Sequence, residues 1–171
     1  MSSATVGFLL LRLAVGLLLA GHGAQKLFGW FGGDGFTSLS KVLEGQGFKP
    51  AGFWALLGGV GELLGGLLTA LGLLVPLGEV AIFAAMFLAV AKFHWKQGLW
   101  SVNGGYEYPL VILTITIVLA CIGPEVFSLD QLLHINLPVL QCFGLGVLAA
   151  LIIDSIGLII SRQSSPESGK R

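Results

Sequence analysis

The stretch 53–75, FWALLGGVGELLGGLLTALGLLV, carries one charged side chain in its whole length. It is long enough to cross the hydrocarbon core of a bilayer as a helix, the form in which every backbone hydrogen bond is satisfied without water. Its small residues are ordered. Gly58, Glu62, Gly65, Gly66, Thr69 and Gly72 fall along one helical stripe, and Gly61 and Gly65 stand at GxxxG spacing. Such a stripe lets a neighbouring backbone approach closely. Packing accounts for the glycines but not for a carboxylate among them, so Glu62 is expected to point into the same interface.

Working outward, Pro76 is expected to stop this span, and a third run at 78–95 follows at once, which predicts a tight antiparallel hairpin. Upstream, residues 5–24 form a first span with Arg12 inside it. No basic segment precedes that run and no small-residue cleavage pattern follows it, so it does not read as a signal peptide. Residues 25–52 form the longest polar stretch. Phe28, Trp30 and Phe31 suit a headgroup belt, and a short interfacial helix is expected after a Ser38 or Ser40 cap. Downstream, 108–122 is a short fourth run closed by Gly123 and Pro124. Residues 123–137 read as an interfacial piece, and 138–160, broken only by Gln141 and Asp154, as a fifth span. The tail 161–171 is expected to be disordered.

Hydrophobic residues make up 55% of the chain and charged residues 11%, against about a quarter charged in soluble domains. The mean hydropathy is +0.91. These values predict an all-α integral membrane helical bundle: a four-helix core over 1–137 and a fifth, C-terminal transmembrane helix at 138–160. With a net charge of zero there is no basic excess to engage phosphates, so nucleic acid is not an expected partner. Cys121 and Cys142 stand far apart in apolar runs and read as packing residues rather than a redox pair.

Alternating the spans places Lys26, Lys41, Lys49, Lys92, Lys96, Arg162, Lys170 and Arg171 on one side, and no lysine or arginine on the other. The positive-inside rule makes the first side cytoplasmic, with the N-terminus outside and the C-terminus inside. Ionisable groups inside spans are costly and are expected to pair. Counting along the helices favours Arg12 with Glu62 and leaves Arg12 with Glu79 as the competitor. Either pair would also serve simply to hold the bundle together.

At the cytoplasmic end, His22, Gln25 and Lys26 share a face by i, i+3 and i+4 spacing. His94 ends the third run at the same level, where Asn103, Tyr106, Glu107 and Tyr108 re-enter the membrane. Haem or metal ligation by His22 and His94 is the weaker alternative, since no further ligand pattern supports it; no metal site is expected.

Four segments then bear on family: LLLRLAVGLLLAGHGAQKLFGWFGG at 9–33, GELLGGLLTALGLLVP at 61–76, HWKQGLWSVNGGYEYPL at 94–110 and GPEVFSLDQLL at 123–133. With these the chain resembles the DoxX family of small bacterial membrane proteins, and HGAQK and NGGYEYPL are the specific pieces. The resemblance implies a four-helix module in a bacterial inner membrane. It further implies an oxidoreductase linked to quinones or catechols, or the membrane subunit of one.

On that footing His22, Lys26, Glu62, His94, Tyr106 and Glu107 are the candidate proton-handling residues, and Gln25, Trp95, Asn103 and Tyr108 the candidate residues for binding the ring. The chain shows no dinucleotide fingerprint, no cluster-binding cysteine set and no flavin motif. A soluble redox partner on the cytoplasmic side is therefore the expected electron source. A non-enzymatic scaffold that anchors partner proteins is the competing reading, and carriage of a lipid or small solute, in an oligomer, a third.

Overall fold

The structure, a computed structural model, describes residues 2–164. All its regular elements are helical: α1 Ser3–Phe28, α2 Gly35–Gly45, α3 Ala51–Leu71, α4 Val75–Ala89, α5 Glu107–Ile122, α6 Leu129–Leu132 and α7 Val139–Ser164. Four helical paths are long and apolar enough to cross a membrane: α1, α3, the α4 path through Gln97, and α7. At 16 residues α5 is the short one. The chain is an all-α membrane bundle.

Several boundaries differ from expectation, each for a local reason. The second span stops at Leu71, because Gly72 takes the left-handed conformation (φ +60) that closes a helix. Pro76 does not end that helix. It sits in the first turn of α4, where its missing N–H costs nothing. The interfacial helix α2 begins at Gly35 after Asp34, so Ser38 and Ser40 lie inside it and not at its cap. The α4 path passes from α-helix into a π turn at Val90–His94, carrying Lys92 and His94. Of the expected disordered tail, Ser161–Ser164 are instead the end of α7. Ser161 is buried there and takes a hydrogen bond from Lys92 Nζ. The rest of that tail lies outside the described residues.

The glycine stripe of α3 divides between two neighbours. A Cβ on Gly66 would strike Ala20 N and Gly16 O of α1, and one on Gly59 would strike the Leu27 side chain. Gly65 faces α4 instead: a Cβ built on it would lie 2.9 Å from Ala81 Cβ and 3.1 Å from Gly78 O. Gly16 and Gly23 of α1 answer from the other side, against Ala70 and Leu63. These contacts fix the axial offset of α1 on α3: Gly16 stands opposite Gly66–Ala70, and Gly23 opposite Leu63.

Val15, Leu19, Ile82, Met86 and Ile112 form the central core. A second cluster, Leu43, Phe48, Trp54 and Ala55, seats α2 on α3. The fifth long helix packs on the hairpin as well: Gly146 of α7 meets Val80, Phe143 meets the Phe83 ring edge-on at 6.3 Å, and Gly157 meets Trp54.

At the opposite end of the bundle, Asp130 ties the 123–137 segment to the α3–α4 turn. Its carboxylate accepts from Leu74 N at 2.8 Å and Val75 N at 2.9 Å, and Gly72 O accepts from its own N–H. Leu74 is held there in a left-handed conformation, φ +48, which a branched side chain rarely adopts. A buried carboxylate at the start of α4 both caps and complements that helix.

Candidate functional site

The α1–α3 offset decides which charges meet. It brings Glu62 level with the last turns of α1, where Lys26 Nζ donates to Glu62 Oε1 and forms an ion pair. The Glu62 side chain is 2% exposed and that of Lys26 38%, so the pair is set with its anion inside the bundle and its cation outward. Glu62 Oε2 is buried and has no partner among the described residues. The expected pairing of Glu62 with Arg12 is thereby corrected. Arg12 lies one turn before Gly16 and so is level with Gly72, far along the interface from Glu62.

Arg12 has a different setting. Its Nη2 donates to Phe127 O, while Glu79, Glu125 and Asp130 surround it electrostatically. The competing Arg12–Glu79 contact is no ion pair either: Glu79 Oε1 accepts from Thr69 Oγ1 at 3.3 Å, and its Oε2 has no partner among the described residues. This end works as an anchor for the 123–137 segment.

Beside Lys26 and Glu62, the His22 ring packs against Tyr108 at 5.9 Å between centroids, and the phenol of Tyr108 lies within the field of the Glu62 charge. His22 and Lys26 come from one face of α1, Glu62 from α3 and Tyr108 from the first turn of α5. Three helices therefore deliver a cation, a carboxylate, an imidazole and a phenol to one place. Gln25 leaves this group, because its Nε2 donates to Phe31 O and ties down the turn after α1.

The remaining sequence candidates form a second, separate cluster around the loop between α4 and α5. His94 Nδ1 pairs with Gly104 O at 2.6 Å, and the Trp95 and Tyr106 rings stack at 5.5 Å and 15°. Glu107 Oε2 accepts from both Ser101 N at 2.9 Å and Ser101 Oγ at 2.7 Å. Gly105 fits only as glycine, since a Cβ there would strike Gly98 O and Leu99. Asn103 is exposed at the loop's tip. The loop is thus laced to itself, and of its residues only Tyr108, at its inner end, reaches the first cluster.

His22 and His94 are engaged with different partners, and among the described residues no group of three His, Cys, Asp or Glu side chains is placed to hold a metal ion. One acid has a setting that its position in the sequence did not reveal. Asp154, the sole acid of the fifth run, is buried and lines a cavity between α3, α4 and α7. Its only sequence signal was a charge in the middle of an otherwise apolar span.

Comparison with known proteins gives one family: the DoxX family model matches residues 7–95. No curated protein and no solved structure matches the chain. The matched region holds His22, Lys26, Glu62, His94 and Trp95, and ends ahead of the loop that carries Asn103, Tyr106, Glu107 and Tyr108.

Proposed function

The chain belongs to the DoxX family, and from that premise we propose that it is the membrane component of a redox system that binds the ring of a quinone or catechol at His22, Lys26, Glu62 and Tyr108. The carrying observation is the Lys26–Glu62 pair: a partly exposed ammonium held by a buried carboxylate whose second oxygen has no partner. A quinone oxygen needs donors that strengthen as negative charge builds on it, and an ammonium, a phenol and an imidazole are donors of that kind. Glu62 takes up the proton balance when Lys26 turns to the ligand. Reduction of a quinone to a quinol consumes two electrons and two protons; the electrons are assigned to a soluble partner, because no redox motif occurs in the sequence. Lys26, Lys41, Lys49, Lys92, Lys96 and Arg162 lie at this end of the helices, which supports a cytoplasmic site, an external N-terminus and a cytoplasmic C-terminus in a bacterial inner membrane. His94, Trp95, Tyr106, Glu107 and Asn103 are assigned to shaping the loop that borders the site, and Gln25 to the turn beside it.

The test is organic extraction and absorbance spectroscopy of protein purified in mild detergent, then titration with a short-chain quinone. The expected result is near one quinone per chain, with affinity reduced in Tyr108→Phe while that variant still accumulates in the membrane. An empty preparation that also fails to bind added quinone overturns the proposal and favours the scaffold.

A further inference from the structure

A cavity in the bundle lies away from the Lys26–Glu62 site. It measures about 280 Å³ and sits where α7 crosses the α3–α4 hairpin, walled by Trp54 and Gly58 of α3, Ala84 and Leu88 of α4, and Ala150 and Ile153 of α7. Small side chains on all three helices leave the space open, and a Cβ built on Gly58 would meet nothing within 4 Å. The walls are almost wholly apolar, with one exception. Asp154 lines the cavity at 4% exposure, and its Oδ2 has no hydrogen-bond partner among the described residues. Burial alone governs its electrostatic setting, with no neighbouring charge contributing.

A lone carboxyl in an apolar chamber costs stability unless something completes it. Filling the chamber with leucine or methionine at Gly58 or Ala84 would be simple. Instead a carboxyl, an open space and an indole lie side by side.

We propose that this chamber is a second binding site, specific for a lipophilic amine: the ammonium pairs with Asp154, Trp54 contributes its aromatic face, and the hydrocarbon body fills the space between α3, α4 and α7. Carboxylate, aromatic ring and apolar walls are the three elements that hold an organic cation out of water. A neutral alcohol of the same shape fills the volume but leaves the ion pair unmade. The site stands independently of the quinone proposal, since it shares no residue with His22, Lys26, Glu62 or Tyr108.

The test uses the full chain in lipid nanodiscs, with equilibrium dialysis of two probes of one shape: 1-aminoadamantane and 1-adamantanol. Empty nanodiscs report partition into lipid. The expected result is protein-dependent binding of the amine, at least roughly tenfold tighter than the alcohol, a gap typical of one ion pair in an apolar site. Asp154→Asn should remove that difference, and it should accumulate normally because it removes an uncompensated carboxyl. Gly58→Leu should abolish binding of both probes while leaving the melting temperature unchanged or raised. Equal affinities for amine and alcohol, or amine binding indifferent to Asp154→Asn, would show a site for neutral chains such as lipid and overturn the proposal. Absence of any binding above empty nanodiscs would overturn it as well. Should Asp154→Asn fail to accumulate, the amine–alcohol ratio and the Gly58→Leu variant decide the question on their own.

Discussion

Removing either partner of the Lys26–Glu62 pair should have unequal costs, and the inequality follows from burial. In Lys26→Met the Glu62 carboxylate, 2% exposed, is left without its cation. Breaking a fully buried pair this way costs about 3–5 kcal/mol. Because the Lys26 side chain is 38% exposed, solvent already screens part of the attraction, and the expected loss falls to about 2–3 kcal/mol. In Glu62→Gln the orphan is the ammonium, which can turn outward to water or donate to the new amide, so the loss should stay near 1 kcal/mol or below. The double variant Lys26→Met/Glu62→Gln should then show a coupling of about 1–2 kcal/mol. The assay is reversible unfolding in mixed micelles of rising denaturing-detergent content, followed by circular dichroism. A Lys26→Met loss no larger than that of Glu62→Gln would refute the reasoning, as would a coupling below about 0.5 kcal/mol.

Asp130→Ala removes two hydrogen bonds from a buried carboxylate to the first turn of α4 and releases the strained Leu74. The expected loss is about 3–4 kcal/mol, with Asp130→Asn losing roughly half of that, read from thermal melting in detergent. Gly66→Ala places a methyl against Ala20 N and Gly16 O, which are backbone atoms that cannot yield. It should cost about 1–3 kcal/mol and lower accumulation in the membrane, while Gly58→Ala, with open space around its Cβ, should be neutral or slightly stabilising. Glu107→Ala frees Ser101, and hydrogen exchange should quicken at the Ser101 amide by roughly tenfold or more while α1 and α3 stay protected.

The spans were legible because lipid forces the apolar run and the helix to coincide. What hydropathy does not carry is the offset between helices. Counting from the ends of the runs put Arg12 within reach of Glu62, because depth was measured along each helix separately. The true register is set by Gly16 lying on Gly66–Ala70 and Gly23 on Leu63, contacts that become readable only once α1 is known to be the partner. The same limit hid the division of the α3 glycines between α1 and α4. On the candidate site, i, i+4 spacing puts His22 and Lys26 on one face of α1, where the structure gives them separate partners, Tyr108 and Glu62. The single cluster expected at that level resolves into two, because the 98–107 loop binds its own polar groups through Ser101, Gly104 and Glu107. The Asp154 chamber was beyond sequence for another reason: a void is made by what three helices jointly lack.

The two charged ends of the bundle are separated by a deliberate apolar layer. Along α1 the inward positions read Arg12, Val15, Leu19 and then His22; along α4 they read Glu79, Ile82 and Met86; along α5, in the opposite direction, Ile112, Thr116 and Leu119. Val15, Leu19, Ile82, Met86 and Ile112 close on each other between the polar levels. The single hydroxyl facing this region from α5, Thr116, is spent on its own helix, donating to Ile112 O at 2.8 Å. A proton relay needs hydrogen-bonding groups at each step, and this layer offers none. On the proposed function, the protons used at Lys26 and Glu62 come from the face on which Lys26 is exposed, while the Arg12–Glu79–Asp130 end holds the far loop. The division also keeps the two sets of buried charges apart: Lys26 meets Glu62 at one end, while at the other Arg12 donates to Phe127 O and Glu79 accepts from Thr69.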